Sequence, residues 1–451
     1  MITKNIVFNG VKTAEPKKMV FLKSALRTMA RLVLKKYNPR IISVTGSVGK
    51  TSAKEAIFAV LASQYRVRRS EKNYNNEIGL PLTIIGTESG KNSIRSWLVV
   101  FLKWLVVIIL PIEYPEILIL EMGADRPGDI KYLTDFVESS VGVVTEISFS
   151  HIEFFKNLES VAREKISLVK TLDSGALAVI NIDNPDIAKL QDQIKARLIT
   201  FGFSGKADMR ATDVFLNCAD GREIRGLSFK LNYKGTILPV RLNNVLARHQ
   251  IYSALVAAAV GVEFGLNLVE ISGLLSNFLS PPGRLNLIKG IKNTLIIDDT
   301  YNSSPASALA ALEVLRGISA SGGKNCRKIA VLGDMLELGS ETERSHQSVA
   351  KKFLEIKGDI FLAVGERMKF AVAELEKNKV NPQNIFSFTS PMEAGRKLQE
   401  ILKERDIILV KGSQGMRMEK VVEEIMAEPQ KDRELLCRQN KEWKEKPFRI
   451  V

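Results

Sequence analysis

Between Lys18 and Tyr37 (KMVFLKSALRTMARLVLKKY) apolar and basic residues alternate at helical spacing, which predicts an amphipathic helix. Pro39 ends that helix and a strand begins. From Ile41 to about Gly175, short β-rich apolar runs alternate with helical patterns. IISVT precedes a helix from Thr51, ILILE one near Asp129, and VGVVT one from Leu158. This alternation predicts a mainly parallel sheet with helices on both faces. Residues 176–280 complete the unit with further strands and an Ala-rich helix over 251–260. A break falls at Ser280-Pro281-Pro282-Gly283, and the alternation then restarts. TLIIDD, KIAVLG, IFLAVG, NIFSF and IILVKG read as strands of a second doubly wound domain. The expected fold class is therefore α/β, with a short basic helical extension (1–40), a central domain built on a phosphate loop (41–281), a C-terminal Rossmann-like domain (282–427) and a charged tail (428–451).

An insertion over about 88–115 interrupts this rhythm, because Trp97–Leu110 (WLVVFLKWLVVIIL) is apolar throughout except at Lys103. As a helix it would be ~21 Å long. That is too short for a hydrocarbon core of ~30 Å. A buried helix is the expectation. Its two tryptophans and the basic helix before it also suit a helix lying in a membrane interface.

Composition narrows the choice of partners. A chain of 451 residues suits about three units of ~150 residues each. The balance of 65 Lys+Arg against 50 Asp+Glu, net +15, fits nucleic acid, an anionic membrane surface or phosphorylated small molecules. The basic residues are scattered, with an excess before residue 41, and neither zinc-finger spacing nor an RNA-recognition aromatic motif occurs. Nucleic acid therefore ranks last. Cys218, Cys326 and Cys437 are far apart and odd in number, so no disulfide framework or metal knuckle follows from them, and a reducing cytosol is the simplest setting. Met1–Val20 lacks the apolar core and cleavage site of a secretory signal.

Candidate chemistry starts directly after the first strand, in Thr45-Gly46-Ser47-Val48-Gly49-Lys50-Thr51-Ser52. Gly46 and Gly49 allow a tight turn whose N–H groups face phosphate at a helix N-terminus. Lys50 is placed to neutralise phosphate oxygens, and the Thr51 hydroxyl to ligate Mg²⁺. Val44 stands where the common eight-residue loop has glycine, so this is a shorter variant; an ordinary glycine-containing βα turn is the alternative. Glu121 closes the apolar run Ile117–Leu120, so its carboxylate is expected at a strand end beside the loop, where Mg²⁺ needs oxygen ligands. Lys165 lies four residues after Val161 and three before Leu168, on the inward stripe of its helix. Burial lowers a lysine's pKa, and a neutral amine can take up carbon dioxide as a carbamate. The alternative is a stem that reaches the surface.

The segment TGSVGKTS (45–52) resembles the loop of the Mur ligase family. NYNNEIGLPLT (73–83), EMGADRPGDI (121–130), PPGRLN (281–286), DDTYNSSP (298–305), VLGDMLELG (331–339) and VKGSQGMRME (410–419) resemble, in the same order, the branch that adds D-alanyl-D-alanine to a muramoyl-peptide nucleotide. The resemblance implies a central ATPase domain and a cytoplasmic, monomeric, ADP-forming amide ligase using ATP and two Mg²⁺ ions. It gives residues 46–52 to the phosphates: Gly46, Ser47, Val48, Gly49, Lys50, Thr51 and Ser52. It makes Thr51, Glu121, His151 and a carbamylated Lys165 metal ligands, and Lys50, Glu121, His151, Lys165 and Arg284 the catalytic set. Arg284 would meet the terminal phosphates and Asp299 the ribose, with Asn302 nearby. Arg284 as a loop charge, and Asp299 or Asn302 as helix caps, are the alternatives. ARHQIYSAL has Gln250 and Ser253 where the family usually has asparagines, leaving Gln250 as the expected base contact. Asp334, Lys411, Gly412 and Ser413 would hold the incoming amine or a carboxylate, although a solvated Lys411 is equally open. Asn75, Asn76 and Glu77 would order a loop beside the muramoyl-peptide carboxylate.

The N-terminus departs from that branch. About 40 residues precede the loop, where these ligases carry a uridine-nucleotide-binding domain. The expectation is that the basic helix, with Trp97–Leu110, replaces that domain or brings the chain to the inner membrane face. A Mur-type ligase with another acceptor, or a non-catalytic nucleotide-binding protein at the membrane, are the other readings.

Overall fold

The computed structural model describes residues 16–440 and 443, apart from 72–73, 92, 149–154, 156, 220–222, 244 and 322–325. The chain divides into two units. One comprises Met1–Thr212, Leu231–Leu238 and Tyr252–Leu275; the other comprises Asp213–Lys230, Pro239–Ile251 and Ser276–Val451.

The chain begins with α1 (Lys17–Tyr37), β1 (Arg40–Thr45), α2 (Lys50–Leu61), β2 (Val67–Arg69), α3 (Gly79–Ile85), α4 (Ile94–Ile109), β3 (Ile117–Glu121) and α5 (Asp129–Thr134). It continues through β4 (Val141–Val144), α6 (Leu158–Lys170), β5 (Leu177–Asn181), α7 (Pro185–Ala188), β6 (Arg197–Gly202), β7 (Met209–Ala219), β8 (Glu223–Tyr233), β9 (Thr236–Asn243), α8 (Ile251–Glu263) and α9 (Leu268–Ser276). The sheet order is β2-β3-β1-β4-β5-β6-β7-β8-β9, parallel from β2 to β7. β3, β4 and β5 are buried at every position, as strands covered on both faces must be. β1 pairs with β3 on one side and β4 on the other, so the strand order reverses there. Open α/β sheets bind ligands beyond the strand ends at such a reversal.

Helix α1 buries Leu26, Ala30 and Val33, spaced four and three residues apart, and ends on Asn38 in the left-handed conformation (φ 44°) just before Pro39. The expectation that the apolar insertion forms a buried helix does not hold. Only Val100 and Val107 of α4 are buried, two turns apart on one face. Leu98, Val99, Phe101, Leu102, Val106 and Ile109 are exposed. A helix that is apolar all round needs cover all round, and the apolar cluster around α1, α3 and β3 receives one side of α4.

The second sheet is formed by β10 (Asn286–Gly290), β11 (Thr294–Asp299), β12 (Lys328–Gly333), β13 (Ile360–Val364), β14 (Ile385–Phe388) and β15 (Ile407–Lys411). Its helices are α10 (Pro305–Ser321), α11 (Thr342–Glu355), α12 (Lys369–Lys377), α13 (Pro391–Ile401) and α14 (Glu419–Ile425). The order is β10-β11-β15-β12-β13-β14, with only the β10–β11 pair antiparallel. Alternate strand residues feed two cores. Ala330, Leu332 and Leu409 pack with α10, α11 and α12, whereas Ile329, Val331 and Val410 pack with α13 and α14. Leu436, beyond the last helix, is buried in the second of these cores.

Candidate active site

The loop between β1 and α2 needs both its glycines. Gly46 (φ 149°) and Gly49 (φ 86°) hold conformations that side chains rarely adopt, and a Cβ on Gly46 would collide with the Thr145 hydroxyl. That hydroxyl donates to the Val48 carbonyl (2.6 Å), and Ser47 Oγ exchanges hydrogen bonds with the Ser148 backbone (3.0 and 3.1 Å). The segment after β4 thus clamps the loop from behind. Ser52 is buried in the first turn of α2. Lys50 curls over the loop, its ammonium donating to the Gly46 carbonyl at 2.6 Å.

Strand register brings Glu121 beside Val44, at the end of β1. Thr51 Oγ1 donates to Glu121 Oε2 (3.1 Å), and Asn75 Nδ2 donates to Oε1 (3.3 Å). A residue that the sequence reading missed completes the group. Lys54, 1% exposed, lies 3.6 Å from Glu121 Oε2 and donates to the Ser70 carbonyl at 2.6 Å. The Ser70 hydroxyl in turn accepts from the Glu121 N–H. The signal for Lys54 was the one used for Lys165: with Ile57 and Leu61 it forms an inward stripe of α2. Of the other residues expected near a substrate, Asn76 accepts from the Ile78 and Gly79 N–H groups at the start of α3, and Glu77 pairs with Lys23 of α1 at 3.0 Å.

Lys165 is buried on α6 among Val161, Ile166 and Leu168. Burial, reinforced by the like charge of Lys50, pushes its amine down to about 7, against the pull of Asp125, Glu164 and Asp129. These carboxylates serve the neighbouring backbone. Glu164 accepts from the Gly128 and Ile130 N–H groups, and Asp129 from those of Asp125 and Arg126. His151 lies outside the described residues, among which no group of three His, Cys, Asp or Glu side chains is placed to hold a metal. The donors present still fit Mg²⁺, because Thr51 and Glu121 offer hard oxygens beside a phosphate loop. An ammonium on Lys165 does not suit a cation site; a carbamate would add two oxygens.

In the second unit, the register across β11, β15 and β12 aligns Asp299 and Leu332 with Lys411 at the strand ends. Lys411 Nζ donates to Asp299 Oδ2 (2.6 Å) and to the Asn302 carbonyl (2.9 Å), and it is buried, not solvated. The Asp299 carboxylate is thus taken up by a strand-end ion pair. Asn302 Oδ1 accepts from the Gln414 N–H, and Ser304 makes the capping contact with Ser307 at the start of α10. Asp334 accepts from the Met368 N–H, and burial raises its pKa. Ser413 donates its N–H to the Asp334 carbonyl, and its Oγ accepts from the Leu336 N–H. Gly412 lies close against Gly333 and Met418, where a Cβ would crowd both.

Gln250 is buried with both ends of its amide in use. Its oxygen accepts from the Leu246 and Ala247 N–H groups, and its nitrogen donates to Ser280 Oγ and the Arg284 carbonyl. In place of the expected base contact, it staples the stretch before α8 to the backbone of Arg284. The Arg284 guanidinium lies 4.2 Å from the centroid of the Tyr301 ring.

A glycine loop with Lys50 and Thr51 against a buried carboxylate, in a chain that carries a second wound sheet, defines the class of nucleotide-dependent α/β enzymes. Comparisons with known proteins make this specific. Residues 107–261 match the Mur ligase middle domain, and 283–414 match the Mur ligase glutamate ligase domain. The chain is 30% identical over 406 residues to the UDP-N-acetylmuramoyl-tripeptide–D-alanyl-D-alanine ligase of Bacillus subtilis, covering 90% of this chain and 80% of that protein. It is 29% identical to the Escherichia coli protein of the same name, covering 88% and 79%. The structure of the MurF ligase from Thermotoga maritima in complex with ADP superposes with a TM-score of 0.71 at 25% identity, covering 89% and 83%. The chain belongs to the Mur ligase family.

Proposed function

We propose that this chain is the ATP-dependent ligase that joins D-alanyl-D-alanine to a UDP-muramoyl-tripeptide in peptidoglycan precursor synthesis. An acceptor carboxylate oxygen attacks the γ-phosphorus of ATP, the bond to the bridging oxygen breaks, and ADP leaves. The amine then attacks the acyl carbon of the acyl phosphate, loses its proton, and phosphate departs. The first step brings anions together, so cationic neutralisation dominates its barrier. Lys50 and the loop N–H groups bind the phosphates, and the clamp from Thr145 and Ser47 keeps those donors oriented. Thr51 and Glu121 would hold Mg²⁺, with Lys165 as a carbamate and His151 completing the set; the ion would supply charge neutralisation on the phosphate oxygens. Lys54 and Asn75 hold the Glu121 carboxylate toward Thr51. Arg284 serves the terminal phosphates, and Asp299, aligned by Lys411, serves the ribose. Asp334, Ser413 and Gly412 serve the amine component. No helix among the described residues is long and apolar enough to cross a membrane. The reading places the enzyme in the cytoplasm, in peripheral contact with the inner membrane face.

The observation that carries this reading is the Thr51–Glu121 contact at a phosphate loop, together with a buried lysine whose amine burial pushes down to about 7, so that a large share of it is neutral near pH 7. The test is formation of ADP and ligated product from UDP-muramoyl-tripeptide and D-alanyl-D-alanine. Lys165→Ala is expected to lose at least ~100-fold in rate, as loss of transition-state charge stabilisation does. Short carboxylic acids should restore part of it. Turnover with other amines but not with D-alanyl-D-alanine would overturn the substrate; ATP binding without amine-dependent turnover would overturn the ligase.

A further inference from the structure

Most of the large apolar side chains that stand exposed among the described residues lie on two helices. On α4 they include Leu98, Val99, Phe101, Leu102, Val106 and Ile109, and on α1 Val20, Phe21 and Leu32. Leu98, Leu102, Val106 and Ile109 recur at four- and three-residue spacing and so share one face of α4, and soluble surfaces rarely keep such an apolar stripe without an occupant. The two helices are tied together. Lys36 Nζ donates to the carbonyls of Val107, Ile108 and Leu110, and the Tyr37 hydroxyl to that of Val107. Trp104 Nε1 donates to the Met29 carbonyl on α1. The C-terminal end of α4 is thus anchored, and its apolar side is presented outward by design of these contacts.

Charge identifies the occupant. Helix α1 carries basic residues along its whole length and no acidic one, and α4 adds Arg95 and Lys103, again with no acid. Lys17, Lys18 and Lys35 are exposed on α1. A protein partner would need an apolar patch flanked by acids. An anionic bilayer offers both features at once, and basic residues beside an exposed apolar helix face are the features of interfacial helices. Since α4 cannot span the hydrocarbon, it would lie along the boundary.

We infer that the α1–α4 face docks on an anionic phospholipid bilayer, with α4 in the headgroup–acyl boundary and the α1 lysines on the headgroups. This deepens the peripheral-membrane part of the proposed function and is independent of the ligase chemistry. The test is flotation of the full chain with phosphatidylcholine vesicles, with and without about 30% phosphatidylglycerol, enough to give the surface a negative potential. Anionic vesicles should recover at least ~10-fold more protein, less at high salt. Val99→Glu with Leu102→Glu, and separately Lys17→Glu, Lys18→Glu and Lys35→Glu combined, should each lose most of that recovery. All these side chains are exposed, and an unchanged thermal midpoint checks that each variant folds. Equal recovery on neutral and anionic vesicles, or full recovery of the Val99→Glu, Leu102→Glu variant, would overturn the inference. A concentration-dependent dimer abolished by that variant would assign the face to a second copy instead. Flotation needs no turnover, so its failure would leave the ligase reading standing.

Discussion

Lys54 and Lys165 both bury an amine on an inward helical stripe, and their neighbours give them opposite fates. Lys54 meets the Ser70 carbonyl and the Glu121 carboxylate, so its charge is paired. Lys165 meets Lys50, and among the described residues no acceptor lies within hydrogen-bonding reach of its Nζ. Removing one partner of a buried pair leaves the other desolvated and unpaired. Lys54→Met is therefore expected to cost about 3 kcal/mol in urea unfolding and to weaken ATP binding. Asp298 supplies a pH signature. It is fully buried, Thr300 donates to its Oδ1 from both N–H and hydroxyl, and Oδ2 has no partner. Burial pushes its carboxyl up to about 7. The folded state therefore holds this proton where the unfolded chain has released it. Stability is full below the unfolded carboxylate range and falls as pH rises toward 7, by up to about 1.4 kcal/mol per unit. Asp298→Asn keeps the acceptor and never ionises, so its urea midpoint should change less between pH 5 and pH 8 and exceed that of the wild type at pH 8.

At the scale of elements, what matters is how loops and helices are held. The phosphate loop depends on Gly46 more than its spacing alone suggests, because Thr145 fills the place of a side chain. Gly46→Ala should raise the Kd for ATP at least ~10-fold, measured by calorimetry, since displaced N–H donors lose charge-assisted bonds worth about 1.5–3 kcal/mol each. Helix α4 is secured at its C-terminal end by Lys36 and Tyr37. Lys36→Met should speed amide exchange over 105–110 while leaving β1 and β3 unchanged. The strand-and-helix alternation was legible along almost the whole chain, because buried parallel strands must be apolar at every position. The exposure of α4 was not legible: an apolar run states what a helix can bury, not how much of it the neighbours will cover.

At the scale of the whole molecule, two apolar clusters among the described residues draw all their members from the first unit and two from the second. In the second, Arg438 donates to the Thr300 and Tyr301 carbonyls and pairs with Glu419, locking the residues after Asp299. Urea should therefore unfold the chain in two transitions. Arg438→Ala should lower only the transition of the second unit, and Lys54→Met only that of the first. Cys437 reports on the difference. Burial pushes its thiol up to about 12, so at pH 8 it should resist alkylation until the second unit opens. Mass spectrometry of the Cys437 peptide across a urea series reads that opening directly.

Local chemistry and periodicity alone determined much of this protein. The glycine loop, the strand-end Glu121 and the inward Lys165 could be read one residue at a time, because a turn, a strand end and a helical stripe are short-range properties. Pairings between distant segments were decided only by the tertiary structure. Lys54 with Glu121, Lys411 with Asp299, and Gln250 with the backbone of Arg284 depend on which strands become neighbours and in what register. Side chains 34 to 112 residues apart meet there, and no spacing along one chain encodes that distance.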